Sequence, residues 1–257
     1  MDVIDRLMSI SVKSLVARLP APLQRRLRKR HYLKKLQDAA IDDEPELGVV
    51  PALVREGDVV FDIGANFGLF TRFLSEAVGA GGRVHSFEPT PDMFAVLSHS
   101  TRSMGLENVS CHNLALSDKP GRATMSIPIR GDGSRNHYEA SLEPGIAGQP
   151  GEVESFTTEV ITLDGFCATA GIAHVDFIKC DVEGHEISVL RGACELIARD
   201  RPTILLEVNE PLHEPGHGSA VKEFIDGIGY RIGVFEDGRV TPLQDGDVRV
   251  NYVLLPA

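Results

Sequence analysis

The sequence predicts an α/β fold: a mostly parallel sheet covered on both faces by helices. Three observations carry the prediction. Short apolar runs recur from Val59 onward and end in Gly, Pro or charge. Between them, apolar residues repeat at helical spacing. Strand–helix alternation of this kind puts short buried strands into a parallel sheet with both sides covered.

Taken in order, residues 3–19 place Ile4, Leu7, Met8, Val12, Leu15, Val16 and Leu19 on one helical face, and Pro20 and Pro22 break that helix. Arg25–Leu36 reads as a second, strongly basic helix, and IDDEPEL (41–47) as an acidic break. DVVFDIG (58–64) is a buried strand; Phe70, Phe73, Leu74 and Ala77 continue as a helix stopped by Gly79, Gly81 and Gly82. RVHSFEP (83–89) is a strand, Phe94 and Leu97 mark a helix ending near Gly105, and VSCHNLALS (109–117) is a strand with its exit loop. Residues 128–158, rich in Gly, Pro, Ser and Glu, interrupt the rhythm as a long loop. VDFIKCDVEG (175–184) is a strand, Ile187, Leu190, Cys194 and Ile197 one amphipathic helix, and PTILLEVNE (202–210) a strand. A short helix over 221–230 precedes two final runs, 230–240 and 248–257. These read as paired strands with a turn at Glu236-Asp237-Gly238, an antiparallel edge or insert.

With 257 residues the chain makes one large domain or two small ones. Hydrophobic residues at 42% and charged residues at 25% exclude a disordered or collagen-like chain. The net charge of −11 divides into +8 over residues 1–36 and −19 over the rest. An acidic body repels phosphate backbones, so nucleic acid is not the expected substrate. Cys111, Cys167, Cys180 and Cys194 have neither CxxC nor zinc-finger spacing and are expected as free thiols, mostly buried, in a reducing, cytoplasmic setting. There is no membrane-spanning run and no signal-peptide layout.

Open parallel sheets bind ligands beyond the carboxyl ends of their strands. The first strand ends in Asp62-Ile63-Gly64-Ala65-Asn66-Phe67-Gly68, where glycines allow a tight turn and close backbone approach. Asp62 is expected to meet a ligand ammonium or to orient the loop. Glu88, 26 residues after Asp62, ends the second strand, where an acid hydrogen-bonds a ribose diol. A dinucleotide fingerprint wants Gly where Asn66 stands, and no P-loop lysine follows. A nucleoside without phosphate fits better, which points to S-adenosylmethionine rather than NAD. Ser117 or Asp118 and nearby backbone are expected to read adenine. Asp181 lies where the cofactor's methionine end and the acceptor should meet.

These residues resemble a known family. DIGANFGLFTRFL, SFEPTPDMF, NLALSD, the SL of EASLEPG, TLD (162–164), FIKCDVEGHEISVLRGA and ILLEVNE match in order the pattern of FkbM-type methyltransferases, over about residues 45–210. The resemblance implies a class I methyltransferase (Rossmann-like) fold, with a seven-stranded mostly parallel sheet whose last-added strand is antiparallel. It implies S-adenosylmethionine as cofactor and O-methylation of a saccharide or secondary-metabolite hydroxyl. It maps the cofactor loop onto Asp62, Gly64, Ala65, Asn66 and Gly68, the ribose acid onto Glu88 with Pro89 behind it, the adenine-side loop onto Ala115 and Ser117, and the acid after the fourth strand onto Asp181. Cys180 departs from the family pattern, which has an aliphatic or small residue there. The organisation expected is a basic helical extension over 1–44 and a methyltransferase domain over 45–257.

Methyl transfer to a hydroxyl needs alignment and gains from a general base. Asp181, Glu183, His185 and His137 are candidates, with position favouring Asp181 and His185. The plainer readings are an N-cap or cofactor contact for Asp181, a solvated helical turn for Glu183 and His185, and an exposed loop side chain for His137. Lys179 is expected to anchor Glu207 or Glu183 and so serve catalysis. Asp181, Glu207 and Asn209 could hold a divalent metal such as Mg²⁺, but hydrogen-bonding roles are the favoured reading. Residues 1–36 suit a peripheral membrane contact or packing on the domain or a second subunit of a homo-oligomer, packing being favoured. The rival functions are N- or C-methyl transfer, disfavoured by CDVEG where an NPPY-like amine site would stand; a non-catalytic nucleoside-binding module; and an NAD-linked oxidoreductase.

Overall fold

The computed structural model describes residues 19–129, 153–244 and 247–257. Helix α1 (Ala21–Asp38) and two 3-10 turns lead into α2 (Val49–Leu53). Strand–helix alternation then runs β1 (Val59–Ile63), α3 (Leu69–Val78), β2 (Arg83–Phe87), α4 (Pro91–Ser103) and β3 (Val109–His112). After β4 (Ala115–Leu116), β5 (Gly121–Pro128) and β6 (Val153–Ile161) come α5 (Leu163–Ala170), β7 (Phe177–Cys180), α6 (Glu186–Arg191), α7 (Cys194–Asp200) and β8 (Thr203–Glu207). The chain continues through α8 (His217–Gly227), β9 (Tyr230–Glu236), β10 (Arg239–Pro242) and β11 (Asn251–Pro256).

Eight strands form the main sheet in the order β10-β9-β11-β8-β7-β1-β2-β3. The pairs β1–β2, β1–β7, β2–β3 and β7–β8 are parallel. β11 enters antiparallel between β8 and β9. The seven strands implied by the resemblance are present, and β10 adds a short eighth at the edge. The turn at Asp237-Gly238 therefore joins β9 to β10 rather than to the final strand, which reaches its place by a longer path.

Strand period decides what each face buries. In β1, Val60 faces one layer with Val84, Phe177, Leu205 and Val253, beneath α1, α3 and α4. Phe61 and Ile63 face the other with Phe87, Ile178, Cys180 and Leu206, beneath α5 to α8. Because β1 is followed to one side by β2 and β3 and to the other by β7 and β8, the sheet has its topological switch point at the carboxyl ends of β1 and β7.

Several local expectations change. Pro22 sits in the first turn of α1 and starts that helix, since a first-turn proline loses no hydrogen bond there; the expected helix over 3–19 lies outside the described residues. VSCHNLALS splits into β3 and β4, which belong to different sheets. Residues 153–158, read as loop, are strand: β6 pairs antiparallel with β5 along its length and parallel with β4. The single helix expected over 187–197 is two, broken at Gly192, where a Cβ would stand 2.1 Å from the Ser117 carbonyl oxygen. Cys167 and Cys180 are buried, but Cys111 is half-buried and Cys194 exposed; all four thiols are free. Among the described residues no helix is long and apolar enough to cross a membrane.

Helix α1 lies against the body. Leu36 is buried in the core layer of α3 and α4. Arg28 Nη1 meets Asp92 Oδ2 at 2.5 Å, and Arg72 of α3 donates to the carbonyls of Leu36 and Ala39. Leu36→Ala is expected to cost about 2–5 kcal/mol of unfolding free energy, as buried leucine truncations do, read from urea denaturation with an unchanged m-value.

Candidate active site

The loop between β1 and α3 crosses the switch point. Gly64 takes φ 75°, and a Cβ there would lie 1.8 Å from the Asp181 carbonyl oxygen, so the exits of β1 and β7 touch only because residue 64 has no side chain. Gly68 starts α3 at φ 99°, against Leu97. Asn66 between them takes φ 51°, uncommon outside glycine but tolerated by asparagine. The amides of Gly64 and Ala65 donate to Phe87 O at 3.1 and 3.0 Å, and that of Asn66 to Glu88 Oε2 at 2.9 Å.

Glu88 is 5% exposed. Its Oε1 accepts from the Thr90 amide at 2.8 Å and the Thr90 hydroxyl at 2.5 Å. Burial pushes its carboxyl above the ordinary range, against the pull of these donors. Oε2 accepts the Asn66 amide and keeps a lone pair for another hydroxyl. The first cleft, about 660 Å³, is lined by Glu88 and Pro89, by Leu114, Ala115, Leu116 and Met125, and by Gly64, Asn66 and Asp181. Among the described residues no Lys or Arg lines it.

A second cleft, about 1010 Å³, shares Gly64, Asn66 and Asp181 with the first. Its other walls include Glu44, Glu46, Phe70, Lys179, Glu207 and Asn251. Lys179 is 6% exposed. Its Nζ lies 3.1 Å from Asp181 Oδ2, 3.2 Å from Gly64 O and 3.9 Å from Asp62 Oδ1. Burial alone would lower its pKa, but Asp181 and Asp62 outweigh this and raise it. Asp62 and Lys179 are register partners on β1 and β7, and Ser86 is the partner of Asp62 on β2. Thr71 Oγ1 bridges Asp62 Oδ2 at 2.5 Å and Ser86 Oγ at 2.9 Å. Asp62 is fully buried, with its carboxyl pushed up by burial. Burial, then the nearby Asp181, push Glu207 up to about 7 while Lys179 pulls it down.

The structure thus brings Gly64, Ala65, Asn66, Glu88, Pro89, Ala115, Lys179 and Asp181 to one or both clefts. Asp62 is in neither lining; its Oδ2 accepts from the Thr71 hydroxyl in the first turn of α3. Ser117 and His185 also stand outside both linings and bond each other, His185 Nε2 to Ser117 Oγ at 2.9 Å. Lys179 pairs with Asp181 and Asp62 rather than with Glu183, whose Oε2 accepts from Asn209 Nδ2 at 3.2 Å. Among the described residues no group of three or more His, Cys, Asp or Glu is arranged to hold a metal ion. His137 lies outside the described residues. Sequence reasoning missed Glu44, Glu46, Asn251 and Met125, and named Glu207 as a partner for Lys179 or a metal ligand but not as a wall of the second cleft.

The methyltransferase FkbM domain family matches residues 62–232, the span that carries both clefts' loops. This chain belongs to the FkbM methyltransferase family. It is 30% identical over 205 residues to the 31-O-demethyl-FK506 methyltransferase FkbM of Streptomyces tacrolimicus, covering 72% of this chain and 76% of that one. It is 29% identical over 191 residues to the 2-O-methyltransferase NoeI of Sinorhizobium fredii, covering 70% and 74%. Among solved structures, a methyltransferase FkbM from Methylobacillus flagellatus KT overlays 89% of this chain and 59% of its own at 15% identity, with a TM-score of 0.49. As a family member the chain is an S-adenosylmethionine-dependent methyltransferase.

The first cleft fits that cofactor. A carboxylate suited to a ribose diol and apolar side chains suited to a base are present, and among the described residues the lining has no cation of the kind a pyrophosphate would need. Asn66 Oδ1, buried without a hydrogen-bond partner at the seam of the two clefts, suits the ammonium of the methionine end.

Two outcomes are expected. Gly64→Ala drives a Cβ into the Asp181 carbonyl and should abolish S-adenosylhomocysteine binding by calorimetry; unchanged affinity would refute the close approach. Glu207, with its pKa raised in the fold, contributes stability below the unfolded carboxyl pKa that is lost as pH rises through about 7. Glu207→Gln should therefore have a higher Tm than the parent at pH 8, and the gap should close toward pH 5.

Proposed function

We propose that this methyltransferase acts on a hydroxyl of a saccharide or secondary-metabolite acceptor bound in the second cleft. The observation that carries this reading is the carboxylate- and amide-lined cleft that shares Gly64, Asn66 and Asp181 with the cofactor cleft. Carboxylates and amides are acceptors for hydroxyl protons, and the two relatives are named for methylation at oxygen.

The bound cofactor supplies a methyl group already activated on a cationic sulfur. The residues of this chain hold and orient, and move one proton. Glu88 and the loop from Gly64 to Gly68 hold the nucleoside end. Asp181 has Oδ2 engaged by Lys179, which fixes its carboxylate at the seam with Oδ1 to orient the acceptor hydroxyl. Among the described residues no donor hydrogen-bonds the Glu207 carboxylate, so its oxygens face the cleft as proton acceptors, and its raised pKa matches a base working near neutrality. Lys179 acts by placing Asp181. His185 and Ser117 support the start of α6 behind the site.

The division at residues 44 and 45 is retained as a proposal, with the 1–44 part seated on the catalytic unit through α1. Docking of α1 supports packing over membrane contact, and four free thiols support a cytoplasmic setting.

Incubation with isotope-labelled S-adenosylmethionine and extracts of glycans and small metabolites should yield methyl ethers seen by mass spectrometry. Products methylated only at nitrogen or carbon would overturn the assignment. With the acceptor so found, Glu207→Gln should lower kcat by about 10²–10⁴-fold, and the parent's loss of rate below about pH 7 should vanish in the variant.

A further inference from the structure

We propose that Tyr32, on helix α1, is a positioning residue for the cofactor loop and acts through Phe67. The inference rests on reading the first cleft as the cofactor site. It goes beyond the family match, which begins at residue 62 and assigns nothing to α1.

The loop has an intrinsic conflict. Asn66 takes a left-handed backbone at φ 51°, which asparagine tolerates better than other side chains but does not prefer to ordinary negative φ. On the sheet side the constraint comes from hydrogen bonds: the Gly64 and Ala65 amides to Phe87 O, and the Asn66 amide to Glu88 Oε2 at 2.9 Å. On the outer side it comes from packing. Phe67, the residue after Asn66, is 3% exposed. The Tyr32 ring stacks on it with centroids 4.9 Å apart and an interplanar angle of 27°. Lys35 Nζ sits 4.7 Å from the centroid of the same ring. The two α1 residues are three apart, so one face of the helix presents both. The helix itself is pinned to α3 by Arg72, which reaches Ala39 O at 2.9 Å, and to α4 by the Arg28–Asp92 pair at 2.5 Å.

Phe67 is therefore contacted by two side chains of α1, from a segment more than thirty residues earlier in the chain. With Tyr32 removed, one side of the ring loses its contact, and the backbone at Asn66 relaxes toward ordinary φ. The Asn66 amide then leaves Glu88, and the shared wall of the two clefts loses its shape. Tyr32 touches neither cleft in this scheme; its effect on binding passes wholly through the loop.

The test compares Tyr32→Ala, Tyr32→Phe and Leu27→Ala, all in the full chain. Leu27 is an exposed residue of the same helix, 38% accessible. Hydrogen exchange of peptides spanning residues 64–68, without cofactor, is expected to speed up about tenfold in Tyr32→Ala, with the β7 and β8 peptides unchanged. Calorimetry with S-adenosylhomocysteine should show affinity about tenfold weaker. Tyr32→Phe keeps the stack and should restore both readouts, and Leu27→Ala should move neither. Unchanged exchange at 64–68 in Tyr32→Ala overturns the inference, and so does a uniform acceleration across the whole chain, which marks a merely structural role. If the parent itself does not bind S-adenosylhomocysteine, the functional reading of the cleft falls instead, and the exchange arm still decides the role of Tyr32.

Discussion

The Lys179 ammonium is a buried cation, and the active end of the sheet is built around keeping it charged. Burial of an amine favours its neutral form. Asp181 at 3.1 Å, Asp62 at 3.9 Å and the carbonyl of Gly64 at 3.2 Å reverse that preference. Each partner belongs to a different piece of the site: the β7 exit, the β1 interior and the cofactor loop. One charge thus fixes the relative positions of three segments that the sheet alone would hold only through backbone pairing. Removing one member of such a buried set leaves the others uncompensated, typically at about 3–5 kcal/mol.

A second buried carboxylate does similar work on the neighbouring loop. Glu186 is 1% exposed, and its Oε1 accepts from the Gly184 amide at 2.9 Å. Its Oε2 meets His217 Nε2 at 2.6 Å, which ties the start of α6 to α8. Glu183, at φ 55°, and Gly184, at φ 91°, complete a turn that only such anchoring holds. Both loops at the switch point are therefore shaped by ionisable side chains beneath them, while the clefts above remain free for ligand.

The parts of this site that were legible in the sequence share one property: they sit within a few residues of a strand end. Gly64, Asn66, Glu88 and Asp181 could be found because apolar runs mark where strands stop, and the α/β rule says what stands there. Glu44, Glu46 and Asn251 carry no such mark. They reach the second cleft because β11 inserts beside β8, a pairing between residues far apart in sequence that periodicity does not report. β5 and β6 escaped notice because their outward positions are Arg, Thr, Ser and Glu, and because the glycine- and proline-rich stretch between them overlaps the start of β6. His185 stands out from its place in the motif, whereas its contact with Ser117, 68 positions away, leaves no mark in the local pattern.

The place of β11 also sets an order of assembly. β8 and β9 are consecutive in the chain, yet they are not neighbours; β11 must come between them. Until residues 251–256 arrive, β8 offers an open edge, and β9 with β10 has nothing to join it to the sheet. Asn251 then closes a contact with Glu46 across 205 positions of sequence, at 3.1 Å. Closing so wide a loop comes late because its entropy must be met before the contact rewards it. On the ribosome, the side of the sheet from β1 to β3 can form first, and the wall of the second cleft is completed only after residues 251–256 have emerged.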